Sequence, residues 1–136
     1  MRILIVDGES FVAELVKLAL EADGHECATA KSFDGATAIV DAMPIDLVTV
    51  NLAVDGRSSL DWLEEISLAH PALAGRLFIL SERRLDEHEM LRVRAAGARV
   101  VHKPFTLEEL RQTLTVIAPP EPHPKPPRPP AAEPEA

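Results

Sequence analysis

The chain has 136 residues, 46% of them apolar and 26% charged, the balance of an ordinary globular protein with enough length for one core. Its formal net charge of −8 disfavours an electrostatic grip on nucleic acid. Cys27 is the single cysteine, which excludes an internal disulfide and points to a reducing, cytoplasmic setting. The opening apolar run is too short for a signal peptide or a membrane span.

In chain order, RILIVD (2–7) reads as a buried strand and ESFVAELVKLALEAD (9–23) as a helix, with apolar residues at helical spacing and Gly24 as its stop. HECATA (25–30) is a weaker strand, and SFDGATAIVDAM (32–43) a helix capped by Ser32. DLVTVN (46–51) is a strand that ends on an amide, Asn51. SSLDWLEEISLA (58–69) is helical, RLFILS (76–81) a strand, LDEHEMLRVRAA (85–96) a helix stopped by Gly97, RVVH (99–102) a strand, and TLEELRQTLTVI (106–117) a final helix. Beyond it the composition changes: nine of the nineteen residues from Ala118 to Ala136 are proline, which can neither donate backbone hydrogen bonds nor continue a helix. The expected organisation is a domain over 1–117 and an extended, partly polyproline II tail over 118–136, serving as a linker or as a docking peptide.

Strict alternation of five strands and five helices predicts an α/β, doubly wound parallel sheet. The functional crevice of such a sheet lies at the carboxyl ends of its strands, which here present Asp7, Asn51, Ser81 and Lys103. These residues, with LIVDGES, FDGATAI and HKPFTLEEL, resemble the receiver domain of bacterial response regulators over residues 1–117. The resemblance implies a (βα)5 flavodoxin-like fold with strand order 2-1-3-4-5. It also implies a chemistry, in which two acids after the first strand and an aspartate after the third hold Mg²⁺. The third-strand aspartate takes a phosphoryl group, whose charge a lysine and the metal offset.

The sequence departs from that pattern at the reacting positions. Asp7 matches the first acid, but Gly8 stands in place of the second and Asn51 in place of the phosphoacceptor. An amide is neutral, a weaker nucleophile than a carboxylate and a poorer Mg²⁺ ligand. Glu82 follows Ser81 and would repel an incoming phosphate, and Val100 occupies the switch position where many receivers carry an aromatic residue. After the third strand the family's usual pairs are replaced by Val54-Asp55 and Ser58-Ser59, and GARVVHK is one residue short. Asp7 and Lys103 alone balance in charge, so Asn51 is expected to accept from Lys103 and donate to Asp7 or backbone, with no metal and no cofactor.

The remaining candidates have structural readings. Glu9 suits a helix start, Asp55 a turn, and Trp62 a partly buried core position. The five histidines show no ligand spacing. The expected function is therefore that of a non-enzymatic pseudo-receiver, an adaptor in bacterial signal transduction that works without aspartyl phosphorylation. Its partners are expected to be proteins, or a second copy through the face of the fourth helix, fifth strand and fifth helix, with no nucleic acid, membrane or Mg²⁺ involved. Arg83, Arg84, Arg92, Arg94 and Arg99 concentrate on that face, as a contact surface or as local ion pairs. The alternatives are a phosphoacceptor that uses another residue, with Asp7 and Glu9 holding a metal, and a small-molecule binder on the same fold. DGES after the first strand lacks a glycine-rich phosphate loop.

Overall fold

Short runs of branched aliphatic residues alternate with amphipathic helices along the chain. In the computed structural model, which describes residues 1–102 with Thr106, Glu108, Glu109 and Gln112, the first elements are β1 (Arg2–Val6), α1 (Ser10–Ala22), β2 (Glu26–Ala30) and α2 (Phe33–Ala42). They are followed by β3 (Leu47–Asn51), β4 (Ala53–Val54), β5 (Arg57–Ser58), α3 (Ser59–Ala69) and a 3-10 turn at Pro71–Leu73. β6 (Leu77–Ser81), α4 (Glu87–Ala95) and β7 (Ala98–His102) complete the described elements.

Five strands form a parallel sheet in the order β2-β1-β3-β6-β7, which is the expected 2-1-3-4-5 once the short β4 and β5 are set aside. Side chains alternate across a strand, so each strand serves two cores. Leu4, Val6, Val48, Val50, Leu77 and Ile79 face α2, α3 and α4, while Ile3, Ile5, Leu47, Phe78 and Leu80 face α1. Burial on both faces is why the central strands read as unbroken apolar runs.

Helices α2, α3 and α4 begin at residues whose side chains accept orphan amides, whereas Glu9 before α1 makes no such bond. Ser32 Oγ accepts from Gly35 N at 3.0 Å, Ser58 Oγ from Leu60 N at 3.2 Å, and Asp86 with Glu89 forms a reciprocal capping box at α4. Thr106 and Glu109 exchange the same pair of bonds, at 3.0 and 2.7 Å, where the fifth helix is expected. The rest of that helix and residues 118–136 lie outside the described residues. Gly97, with φ 71°, turns the chain from α4 into β7, and a Cβ there would sit 3.1 Å from Gly75 N.

The structure adds two features to the expected elements. The segment after β3 is a β-hairpin with Asp55 in its turn, as read from the sequence: β4 and β5 pair antiparallel, Ala53 with Ser58 and Val54 with Arg57, around Asp55 and Gly56 at φ 53° and 73°. Positive φ at both central residues is what a two-residue hairpin turn needs, and Asp-Gly supplies it. On α1, Ala13, Val16 and Leu20 make the core face, whereas Phe11, Leu15 and Leu18 point to solvent.

Candidate functional site at the carboxyl edge of the sheet

The ends of β1, β3 and β6 bring most of the expected residues to one edge. Asp7, just past β1, is buried; its Oδ1 accepts from Glu9 N at 2.8 Å, and its backbone N donates to Ala30 O at 3.0 Å. The carboxylate therefore organises the turn into α1 as well as facing the edge. Gly8 is exposed with ordinary backbone geometry, and a Cβ there would meet Asp55 N, Asp55 Oδ1 and a Val54 methyl, each at 3.9 Å. The hairpin thus lies directly against the position where a second acid would project. Sequence reasoning weighed Asp55 as a displaced acceptor, preferred a turn residue, and did not place it against Gly8.

Asn51 closes β3, and its Oδ1 is buried with no hydrogen-bond partner among the described residues. Of the expected donations from Asn51, to Asp7 or to backbone, the one to Asp7 is not made; Asp7 Oδ1 accepts from the Glu9 amide. Lys103, the other expected partner, lies outside the described residues. Ser81 is buried at the end of β6; its Oγ donates to Arg83 O at 2.6 Å and accepts from Arg83 N at 3.2 Å. The hydroxyl closes a local turn of the type that serine favours. Glu82 is exposed beside it, and Asn51, Leu80, Ser81, Glu82 and Arg83 line a cleft of about 370 Å³. Val100 is half-buried on β7, opposite Ile79 of β6.

This donor set does not fit Mg²⁺. The ion takes oxygen ligands, chiefly carboxylates, in near-octahedral geometry. At the three expected positions Asp7 alone supplies a carboxylate, Gly8 has no side chain and Asn51 offers a neutral oxygen, and even with Asp55 nearby no group of three or more acidic, histidine or cysteine ligands gathers among the described residues.

The five arginines divide into two kinds. Arg83 makes two bonds to the Glu89 carboxylate at 2.9 and 2.7 Å, and Arg92 binds Glu64 at 2.9 and 2.8 Å and also reaches Asp61. Arg92 thereby ties α4 to α3. Arg84, Arg94 and Arg99 are exposed, with no salt bridge among the described residues.

The Arg83 guanidinium, followed by the Asp86 backbone amide, lowers the Glu89 carboxyl from 4.5 to about 2, and the Arg92 pair likewise holds Glu64 below the usual carboxylate range. A depressed folded-state value means the unfolded chain binds the proton first as pH falls. The stabilisation is present above the unfolded value and is lost as pH drops from about 4.5 towards 2. Glu89→Gln should therefore melt below the parent at neutral pH and converge with it near pH 2. Parallel melting curves at every pH would contradict the pairing.

The profile of the response regulator receiver domain matches residues 3–115. A probable transcriptional regulatory protein, TcrX, of Mycobacterium tuberculosis is 30% identical over 115 residues, covering 85% of this chain and 48% of that protein. The chain thus spans about half the length of this curated relative. A response regulator receiver domain protein from Clostridium thermocellum superposes with a TM-score of 0.74 at 27% identity, covering 85% of this chain and 91% of that one. The Vibrio cholerae chemotaxis response regulator CheY4 gives 0.77 at 19% identity over 86% and 98% of the two chains, a likeness of fold alone. These matches define a receiver domain of two-component response regulators. The chain belongs to the response regulator receiver family.

Proposed function

We propose that this receiver signals without aspartyl phosphorylation and acts as a non-enzymatic protein-interaction module, a pseudo-receiver. The observation that carries the reading is Asn51, which stands at the end of β3 with a buried amide oxygen that no described group satisfies. Its amide supplies no nucleophile, and Gly8 beside the Asp55 turn supplies no second acid to help hold a metal.

The contact surface is the exposed part of α4 and β7, with Arg84, Arg94 and Arg99 as the cations available to an acidic partner. Arg83 and Arg92 belong to internal ion pairs and serve the surface by fixing α4. Protein partners in a signalling pathway, a homodimer through this face among them, fit the reading. Nucleic acid does not, given the net charge of −8. No helix among the described residues is long and apolar enough to cross a membrane. The single cysteine, Cys27, supports a reducing, cytoplasmic setting. The proline-rich residues 118–136 are taken as a segment separate from the domain.

A ligand that binds only the native state stabilises it by RT ln(1 + [L]/Kd), so a site with Kd near ~0.1 mM would add roughly 1.4 kcal/mol at ~1 mM Mg²⁺. The melting temperature of this protein should stay unchanged over that range. A rise specific to Mg²⁺ over Na⁺ at matched ionic strength would refute the metal-free reading.

A further inference from the structure

Helix α1 has an apolar face that the sheet does not use: Phe11, Leu15 and Leu18 are 75%, 43% and 61% exposed. Steps of four and three residues align them in one stripe. Glu14 and Glu21, three residues after Phe11 and Leu18, run along one edge of the stripe, both exposed and in no ion pair among the described residues. Seven residues at helical rise set their carboxylates about 10 Å apart on one side of the helix. Lys17, half-buried, lies behind them.

The chain contains a segment of complementary chemistry. PHPKPPRPP, residues 122–130, carries Lys125 and Arg128 and no carboxylate. In polyproline II, three residues make one turn and rise about 9 Å, so cations three residues apart in that conformation would share a face at nearly the spacing of Glu14 and Glu21. Proline-rich sequences lose little entropy on docking.

We propose that residues 122–130 dock in cis along α1, with prolines on Phe11, Leu15 and Leu18 and with Lys125 and Arg128 against Glu14 and Glu21. The segment belongs to the same chain, and a tether that spans the two sites gives an effective concentration in the millimolar range. A contact of about millimolar intrinsic affinity is then half-occupied within one chain. The docked segment covers α1 and competes with any protein that would use the stripe. This goes beyond the interaction-module reading, which concerns α4 and β7, and does not depend on it.

The test uses the full chain with Cys27→Ser and Ala131→Cys, a nitroxide on the introduced thiol, and ¹⁵N amide spectra whose dispersion reports folding. Cys27→Ala is the second background should Cys27→Ser lose dispersion. Amide signals from Phe11 to Leu18 should broaden severalfold more than those of α3 and α4. Glu14→Lys with Glu21→Lys should remove that excess, and Lys125→Glu with Arg128→Glu added to the same chain should restore it. Even broadening over the surface, or broadening indifferent to the charge reversals, would overturn the proposal. Broadening on α1 in a mixture of ¹⁵N chains without nitroxide and nitroxide chains without ¹⁵N would assign the contact to a second copy, and would overturn docking in cis.

Discussion

Gly8→Asp combined with Asn51→Asp should convert a protein indifferent to Mg²⁺ into one stabilised by it. The added carboxylates join Asp7, which is already buried at the same edge, and three like charges in a poorly solvated cleft repel one another. The double variant should therefore melt below the parent in chelator and recover when Mg²⁺ is added, because a divalent ion offsets the repulsion and takes oxygen ligands. The backbone permits the change: Gly8 has ordinary φ, and a Cβ there meets its nearest neighbours at van der Waals distance, 3.9 Å. One of those neighbours is Asp55 Oδ1, so the variant gathers more negative charge than the three reacting positions alone. Adding Asp55→Asn should relieve part of the loss in chelator. Asn51→Asp alone restores a nucleophile without the second acid and should accept phosphate poorly or not at all. Ready phosphorylation of that single variant would show that Gly8 is not the disabling change.

Trp62→Ala should cost about 3–5 kcal/mol, the range for removing a large aromatic from a core. Trp62 is 4% exposed, stacks on Phe33 at 5.7 Å between ring centroids, and donates from Nε1 to Thr37 Oγ1 at 2.9 Å. It joins α3 to α2, and Arg57 of β5 lies over the same Phe33 ring at 5.8 Å, so the hairpin beside Gly8 leans on this cluster. Urea unfolding followed by an amide probe gives the measurement. A loss below about 1 kcal/mol would show that the α2–α3 contact adds little to the core. Trp62→Phe should fall between the two, since it keeps a ring and loses the hydrogen bond.

The sheet was legible in the sequence because its central strands are buried on both faces and are bounded by helix signals. Ser32 and Gly97 announce helix ends through chemistry local to a few residues, and the structure uses both, while the Ser58 cap and the Asp86–Glu89 capping box were not read from the sequence. The β4–β5 hairpin was not recognised, although Asp55-Gly56 is its signature, because two-residue strands give no alternating pattern to read. Edge residues such as Asp7, Asn51 and Ser81 were placed by topology, but their bonds were not. Asp7 turns to the Glu9 amide and Ser81 to Arg83, both competitions between side chain and nearby backbone that composition cannot rank. The roles of the arginines were equally hidden. Arg92 pairs with Glu64 and Asp61, 28 and 31 residues away, so its engagement depends on how α3 packs against α4.

The central claim is that the edge site has lost its phosphoacceptor chemistry, and the most direct test is the intact mass of the full chain. The protein is incubated with Mg²⁺ and an acyl phosphate, beside a receiver that carries the two acids and the acceptor aspartate. The account predicts an unchanged mass here and a gain of one phosphoryl group in the control. A phosphoryl gain on this chain that hydroxylamine removes, the behaviour of an acyl phosphate on a carboxylate, would contradict it and would identify a displaced acceptor.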